Sequence, residues 1–191
     1  MKETSDESDG DRANVRLRFM AFTIRRASVD DARAIAVVHV ESWRTTYSGI
    51  VPDAFIAGLS EEKSTETWKE QRTDGDGFLF VAEDQSGIFG FVSGGKLRAA
   101  LEGYDGELYA IYLLRAHQRQ GAGRLLVKAL TEAMRGKGFM SMAVWVLAQN
   151  PAVCFYKRLG AIQIAKQTIE IGGVQLPELA FGWPTLDSGL N

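Results

Sequence analysis

A segment joining a predicted strand to a predicted helix carries the residues best suited to chemistry in this sequence. It runs from Leu113 to Arg124 and contains two glycines, Gly121 and Gly123, where the helix begins. Backbone N–H groups in the first turn of a helix have no partner within the helix and carry the positive end of its dipole. Because glycine leaves room beside the backbone, the segment predicts a cradle for a phosphate group. A tight turn that binds no ligand is the alternative.

The residues after this loop indicate which classes of phosphate-binding motif it does not match. A P-loop for nucleoside triphosphates has lysine and then serine or threonine after its last glycine, whereas Arg124 and Leu125 follow Gly123. A dinucleotide-binding fingerprint has a further glycine or alanine where this chain has Leu126. The sequence therefore disfavours both of these nucleotide sites.

A second segment follows about thirty residues later. It runs from Trp145 to Gly160 and contains Asn150, which precedes a proline, and Tyr156. Together with Gln118 and the two glycines, it resembles the paired acetyl-CoA segments of the GNAT superfamily of N-acetyltransferases. The resemblance covers residues 22–183 in element order.

The order of apolar patterns predicts a single α/β (α+β) domain with a mixed sheet. The resemblance implies a GNAT-like fold in which about seven strands are flanked by about four helices. It also implies that two central parallel strands, expected at Glu107–Leu114 and Met140–Leu147, splay apart and leave a gap for pantetheine. Residues 1–20 are expected to form a flexible acidic tail, residues 21–185 the acetyltransferase domain and residues 186–191 a C-terminal tail.

The resemblance assigns contacts to acetyl-CoA residue by residue. Backbone groups at Leu113 and Arg115 are expected to pair with pantetheine, and the Leu113 amide to polarise the thioester carbonyl as an oxyanion hole does. Asn150 is expected to bond the pantetheine arm, although asparagine before Pro151 also suits a helix cap. The expected cofactor residues are Leu113, Leu114, Arg115, Gln118, Arg119, Gln120, Gly121, Ala122, Gly123, Arg124 and Asn150, and no metal is expected.

The resemblance also implies an acid and a base. An amine with a lysine-like pKa near ~10.4 must lose a proton before it attacks a thioester. Glu107 lies where many members of the superfamily place a general base, acting directly or through water. Tyr156 matches the usual proton donor to the departing thiolate. The alternatives are an exposed carboxylate at the sheet edge and a tyrosine packed in a helix.

The acceptor side is expected along the first two helices and the loop between them. Trp43, Arg44 and Tyr47 are candidate acceptor contacts, together with Tyr109 near Glu107. Arg44 would favour an amine that also carries a carboxylate. The alternative is that Trp43 belongs to the core and Arg44 is a surface charge. Ser42-Trp43-Arg44 and Tyr104–Tyr109 also resemble a bacterial subgroup of the superfamily.

Composition excludes several other classes of function. The 191 residues carry a net charge of −2, which gives no support for nucleic-acid binding through phosphate neutralisation. Cys154 is the only cysteine, so an intrachain disulfide is excluded and a reducing cytoplasm is the expected location. With only two histidines beside it, a usual zinc site is excluded as well. No apolar run reaches the ~18 residues of a membrane helix.

The sequence therefore predicts an acetyl-CoA-dependent N-acetyltransferase that acts on a primary amine of a small molecule, with a homodimer as the expected assembly. Two alternatives remain open. One is an acetyltransferase acting on protein N-termini or lysines. The other is a catalytically silent acyl-CoA-binding module.

Overall fold

The computed structural model describes residues 22–70 and 77–186. The predicted tail over residues 1–20 lies outside this part, as do the last five residues of the chain. Seven strands are described: β1 (Thr23–Arg26), β2 (Phe78–Asp84), β3 (Gly87–Lys96), β4 (Gly106–Leu113), β5 (Met142–Leu147), β6 (Ile162–Ile171) and β7 (Val174–Trp183). Five α-helices accompany them: α1 (Ala32–Thr46), α2 (Asp53–Ala57), α3 (Glu61–Glu70), α4 (Ala122–Arg135) and α5 (Ala152–Arg158).

The strands form one mixed sheet in the order β1-β2-β3-β4-β5-β7-β6. Every neighbouring pair is antiparallel except β4 and β5, which are parallel. The connection between these two strands passes through α4, as a parallel crossover requires. The predicted α/β (α+β) fold class is therefore confirmed.

Both faces of the sheet are covered, because the apolar stripes of the helices need partners. On one face, Leu126, Leu130 and Met134 of α4 are fully buried in a cluster that also holds Phe89 of β3. On the other face, helices α1 and α3 cover a second cluster that contains Ile35 of α1. The central strands are thus held rigidly from both sides.

The two parallel strands separate soon after they meet. Their pairing spans Gly106–Leu108 and Met142–Val144, although both described strands continue for several residues. A bulge lies at this point, because Gly94 pairs with Leu108 while the preceding residue of β3 pairs with Ala110. Tyr109 is the extra residue of the bulge, and a bulge bends the strand that carries it. The predicted gap between the strands is present.

The expected C-terminal tail begins at Leu186, which is buried in the main core and only 2% exposed. Its backbone N–H donates to the carbonyl oxygen of Met140 at 2.9 Å. The ordered core therefore reaches at least to this residue.

Candidate active site

A cleft of about 610 Å³ opens where β4 and β5 separate. Its walls come from the end of α1, from the diverging halves of β4 and β5, and from α5. One end reaches the loop before α4, and the other reaches the bulge at Tyr109. Eleven of the sequence-predicted site residues line it: Tyr47, Tyr109, Leu113, Arg115, Gln118, Arg119, Gly121, Gly123, Arg124, Asn150 and Tyr156.

The loop before α4 has an unusual backbone. Arg119 has φ of +61° and Gly121 has φ of +90°, and Arg119 is the one non-glycine residue with positive φ in the described chain. A non-glycine residue held in this region costs of order 1–3 kcal/mol, and such strain clusters at ligand sites. The side-chain amide of Gln118 donates to the Leu113 carbonyl at 3.1 Å, which ties the loop to the end of β4.

Positive charge is concentrated at this end of the cleft. Arg115, Arg119 and Arg124, from the loop before α4 and its first turn, line the cleft, and Arg158 of α5 lines it as well. Arginine side chains beside the N-terminus of a helix favour a polyanionic ligand. Arg158 was not predicted from the sequence, because its position in the last turn of a short helix carries no motif.

Three of the predicted cofactor residues are not among those that line the cleft. Leu114 belongs to the apolar surroundings of the core, and its N–H donates to the Phe89 carbonyl at 2.8 Å. Ala122 is 1% exposed. The side chain of Gln120 bonds within the loop, to the Ala116 carbonyl at 3.0 Å. A contact between these three and a ligand stays a prediction.

Tyr156 lies on the buried side of α5, with its phenol at the cleft. Its ring packs edge-on against Trp183, with 6.2 Å between centroids. Burial raises the pKa of the Tyr156 hydroxyl well above its ordinary value, and the neighbouring Tyr47 adds to the effect. The phenol therefore keeps its proton at neutral pH, which a proton donor requires.

Asn150 has one of the two roles that the sequence left open, that of a helix cap, and its contact with the pantetheine arm stays a prediction. Its Oδ1 accepts a hydrogen bond from the Ala152 N–H at 2.8 Å, so it caps the start of α5. Its Nδ2 donates to the Tyr47 hydroxyl at 3.0 Å across the cleft. The side chain is buried, yet it still lines the cleft.

Glu107 is buried at the start of β4 and is not among the residues that line the cleft in the described chain. Its Oε1 accepts from Arg98 Nε at 3.0 Å and also contacts a terminal guanidinium nitrogen, while Oε2 accepts the Arg98 backbone N–H at 3.1 Å. These bonds raise the pKa of Arg98. The expected base is therefore engaged in an ion pair that the sequence did not predict.

The segment Tyr104–Tyr109 fixes this end of the cleft. Both Asp105 carboxylate oxygens accept hydrogen bonds from backbone N–H groups just before β5, from Met140 at 2.8 Å and Ser141 at 2.9 Å. Tyr109 donates its hydroxyl to the Lys96 carbonyl, and the Arg98 guanidinium lies over its ring at 4.7 Å. The segment Tyr104–Tyr109, which resembles a bacterial subgroup of the superfamily, thus fixes the backbone on both sides of Glu107.

Two expected acceptor contacts do not reach the cleft. Arg44 is exposed on α1 and pairs with Glu41 at 3.1 Å. Trp43 packs against the Tyr47 ring at 4.4 Å between centroids and against Phe55 at 5.8 Å. Instead, Ser42, Thr45 and Thr46 of the same helix line the cleft, together with Trp145 of β5.

A splayed parallel strand pair, a glycine loop at a helix start and a buried tyrosine together define an acyltransferase site. The model of the acetyltransferase (GNAT) family matches residues 40–161, and the chain belongs to this family. A Bacillus subtilis (strain 168) protein named uncharacterized N-acetyltransferase YuaI is 46% identical over 167 residues, which are 87% of this chain and 95% of that protein. The predicted family and enzyme class are confirmed.

More distant relatives agree with this assignment. A spermidine N(1)-acetyltransferase of Thermoplasma acidophilum is 26% identical over 147 residues, covering 74% of this chain and 88% of that protein. A crystal structure of the PaiA N-acetyltransferase of that organism, in complex with coenzyme A, matches with a TM-score of 0.63 and 23% identity over 84% of this chain and 98% of that chain. A Salmonella typhimurium structure of YncA with acetyl-CoA matches with a TM-score of 0.65 and 22% identity, covering 88% of this chain and 96% of that chain.

Among the described residues, no group of three or more histidine, cysteine, aspartate and glutamate side chains could hold a metal ion. In that same part of the chain, no helix is long and apolar enough to span a membrane.

Proposed function

We propose that this protein transfers the acetyl group of acetyl-CoA to a primary amine of a small molecule in the cytoplasm. One observation carries the proposal: the gap between β4 and β5 connects the cationic glycine loop to the buried Tyr156. A phosphate-bearing cosubstrate with a long neutral arm fits this arrangement of charge and shape. The relatives crystallised with coenzyme A and acetyl-CoA support it.

The proposed reaction is a direct attack on the thioester. The amine nitrogen bonds to the acetyl carbon, and the carbon–sulfur bond breaks with its electron pair on sulfur. The Leu113 amide stabilises the oxyanion of the tetrahedral intermediate. Tyr156 gives its proton to the departing thiolate, the attacking nitrogen releases its extra proton to solvent as the amide forms, and Tyr156 regains a proton from solvent.

The amine must first lose a proton, and Glu107 is the proposed acceptor of that proton. Its carboxylate is held by Arg98, so one oxygen must be released when the acceptor binds. An incoming ammonium group can replace the guanidinium as the positive partner of Glu107. A bridging water provides the same path where direct contact is out of reach.

Charge and aromatic surface favour a cationic amine over an amine that carries a carboxylate. Arg44, the residue expected to bind a carboxylate, pairs with Glu41 outside the cleft. Near the bulge, the two carboxylates of Glu107 and Glu178 act on the single guanidinium of Arg98. Trp145 and Tyr109 add aromatic surface, which attracts cations. The relative named as a spermidine acetyltransferase supports the same class.

The test combines ligand binding with turnover. Acetyl-CoA should raise the melting temperature, since ligand at a hundredfold excess over Kd stabilises the fold by ~2.7 kcal/mol, and ATP should not. Thiol release should then be measured against polyamines, monoamines, amino acids and lysine-containing peptides. Turnover of polyamines above amino acids supports the proposal. Preference for peptides would instead identify a protein acetyltransferase, and binding without any turnover a silent acyl-CoA-binding module.

Glu107→Gln and Tyr156→Phe provide the matched variants for this assay. Both should bind acetyl-CoA as the natural protein does and lose turnover. Size-exclusion chromatography with light scattering on the same samples would test the proposed homodimer.

A further inference from the structure

Tyr47 lines the cleft at the end of α1. It is the residue directly after α1, and its side chain is 8% exposed. Its ring lies in a small cluster with Val51, Leu147 and Leu176, which fixes the phenol in place. The sequence-based expectation assigned Tyr47 to the acceptor amine.

The hydroxyl of Tyr47 is instead engaged with Asn150, which is 103 positions away in the chain. The Asn150 side chain is bound at both ends, by Tyr47 at Nδ2 and by the Ala152 N–H at Oδ1. Two bonds at opposite ends of a planar amide fix its rotation and decide which end is the oxygen. One N–H and one lone pair of the amide remain for a ligand.

The orientation of Tyr47 is itself determined by its surroundings. The Tyr112 hydroxyl interacts with that of Tyr47, and burial raises the pKa of both phenols. The phenol of Tyr47 therefore stays neutral and keeps its place beside Asn150. A buried, hydrogen-bonded chain of this kind holds a ligand-binding group in a single geometry.

We propose that Tyr47 is a positioning residue of the cofactor site: it holds the Asn150 amide in the orientation that binds the pantetheine arm. This inference rests on the proposed function, because it requires a pantetheine-bearing ligand. It also assigns Tyr47, at the end of α1, to cofactor binding rather than to the acceptor amine.

The experiment measures Kd by calorimetry for acetyl-CoA, CoA and adenosine 3′,5′-bisphosphate, which lacks pantetheine. Tyr47→Phe removes the hydrogen bond and keeps the ring, so acetyl-CoA and CoA should bind about tenfold more weakly. Affinity for the bisphosphate should stay within about twofold, because its site lies at the arginines and the glycine loop. Tyr104→Phe is the control for a tyrosine hydroxyl outside the residues that line the cleft, and it should bind all three ligands normally.

A double-mutant cycle separates positioning from direct contact. If Tyr47 acts through Asn150, then Tyr47→Phe should have no further effect on acetyl-CoA affinity in an Asn150→Ala background. Additive losses would overturn the proposal, and so would an equal loss of bisphosphate affinity. Failure of acetyl-CoA to bind the natural protein would instead overturn the proposed function, so the two failures are distinguishable.

Discussion

The carboxylate of Glu107 and the guanidinium of Arg98 form an ion pair in which only one partner is buried. The side chain of Glu107 is 3% exposed, whereas that of Arg98 is 61% exposed. A buried carboxylate needs a partner because burial of an unpaired charge is costly. Arg98 therefore lies between solvent and the Glu107 carboxylate, which is the proposed general base.

Replacement of Glu107 by Gln should separate a base from a structural carboxylate. If Glu107 takes the proton of the amine, kcat should fall about 10²–10⁴-fold while the Kd for acetyl-CoA stays unchanged. Arg98→Gln keeps the carboxylate and serves as the matched control. Full turnover by Glu107→Gln, with a lowered melting temperature, would show that the pair only holds the loop to β4.

Replacement of Tyr156 by Phe should remove the proton donor and preserve the ring packing against Trp183. We expect kcat to fall about 10²-fold or more, with KM for acetyl-CoA nearly unchanged. Because burial raises the pKa of this phenol, its ionisation should not limit activity as the pH rises towards 10. Steady-state kinetics across pH measures both effects, and unchanged kcat would reduce Tyr156 to a packing residue.

His39 should make stability decline in mild acid. Burial lowers its pKa from 6.5 to about 4, and four aromatic rings surround it, including those of Trp68 and Phe91. Between these two pH values the unfolded chain binds a proton that the folded chain does not, so stability falls as the pH drops. We expect a loss of roughly 1–2 kcal/mol between pH 7 and pH 5. Guanidinium unfolding should show this loss in the natural protein and a smaller one in His39→Phe.

Gly94 should be intolerant of any side chain, because it faces β4 at the bulge. A Cβ at this position would lie 2.7 Å from the Glu107 carbonyl oxygen and 2.9 Å from a methyl of Leu130. Neither the backbone of a central strand nor a core leucine moves easily, so Gly94→Ala should cost about 1–3 kcal/mol. Gly77→Ala is the control, since a Cβ there meets nothing within 4 Å. Equal denaturation midpoints for the two variants would contradict the close approach.

Arg119 combines a strained backbone with a charge at the cleft, and two substitutions distinguish these contributions. Arg119→Gly and Arg119→Ala both remove the guanidinium, so both should weaken acetyl-CoA binding and reduce its dependence on salt. Only glycine accepts φ of +61° without strain, so Arg119→Ala should unfold at a lower denaturant concentration. Identical midpoints would show that the loop relaxes when the arginine is removed.

Much of the fold could be predicted from the sequence because its signals are local. The apolar spacing over residues 121–135 and the glycine at the helix start predict α4, and both signals lie within the helix itself or directly before it. The same holds for Tyr156 and Asn150, since both lie in one short segment that resembles known cofactor segments. These local signals were sufficient to predict the family and the separation of the two parallel strands.

Tertiary structure alone decided which partners the charged and buried residues find. Nothing near Glu107 in the sequence marks Arg98 as its partner, because the two meet only when the connection between β3 and β4 folds back. The bond between Tyr47 and Asn150 likewise depends on the packing of α1 against the end of β5. Helices and strands form from neighbours in sequence, whereas ion pairs and amide orientations form between segments that only the folded sheet brings together.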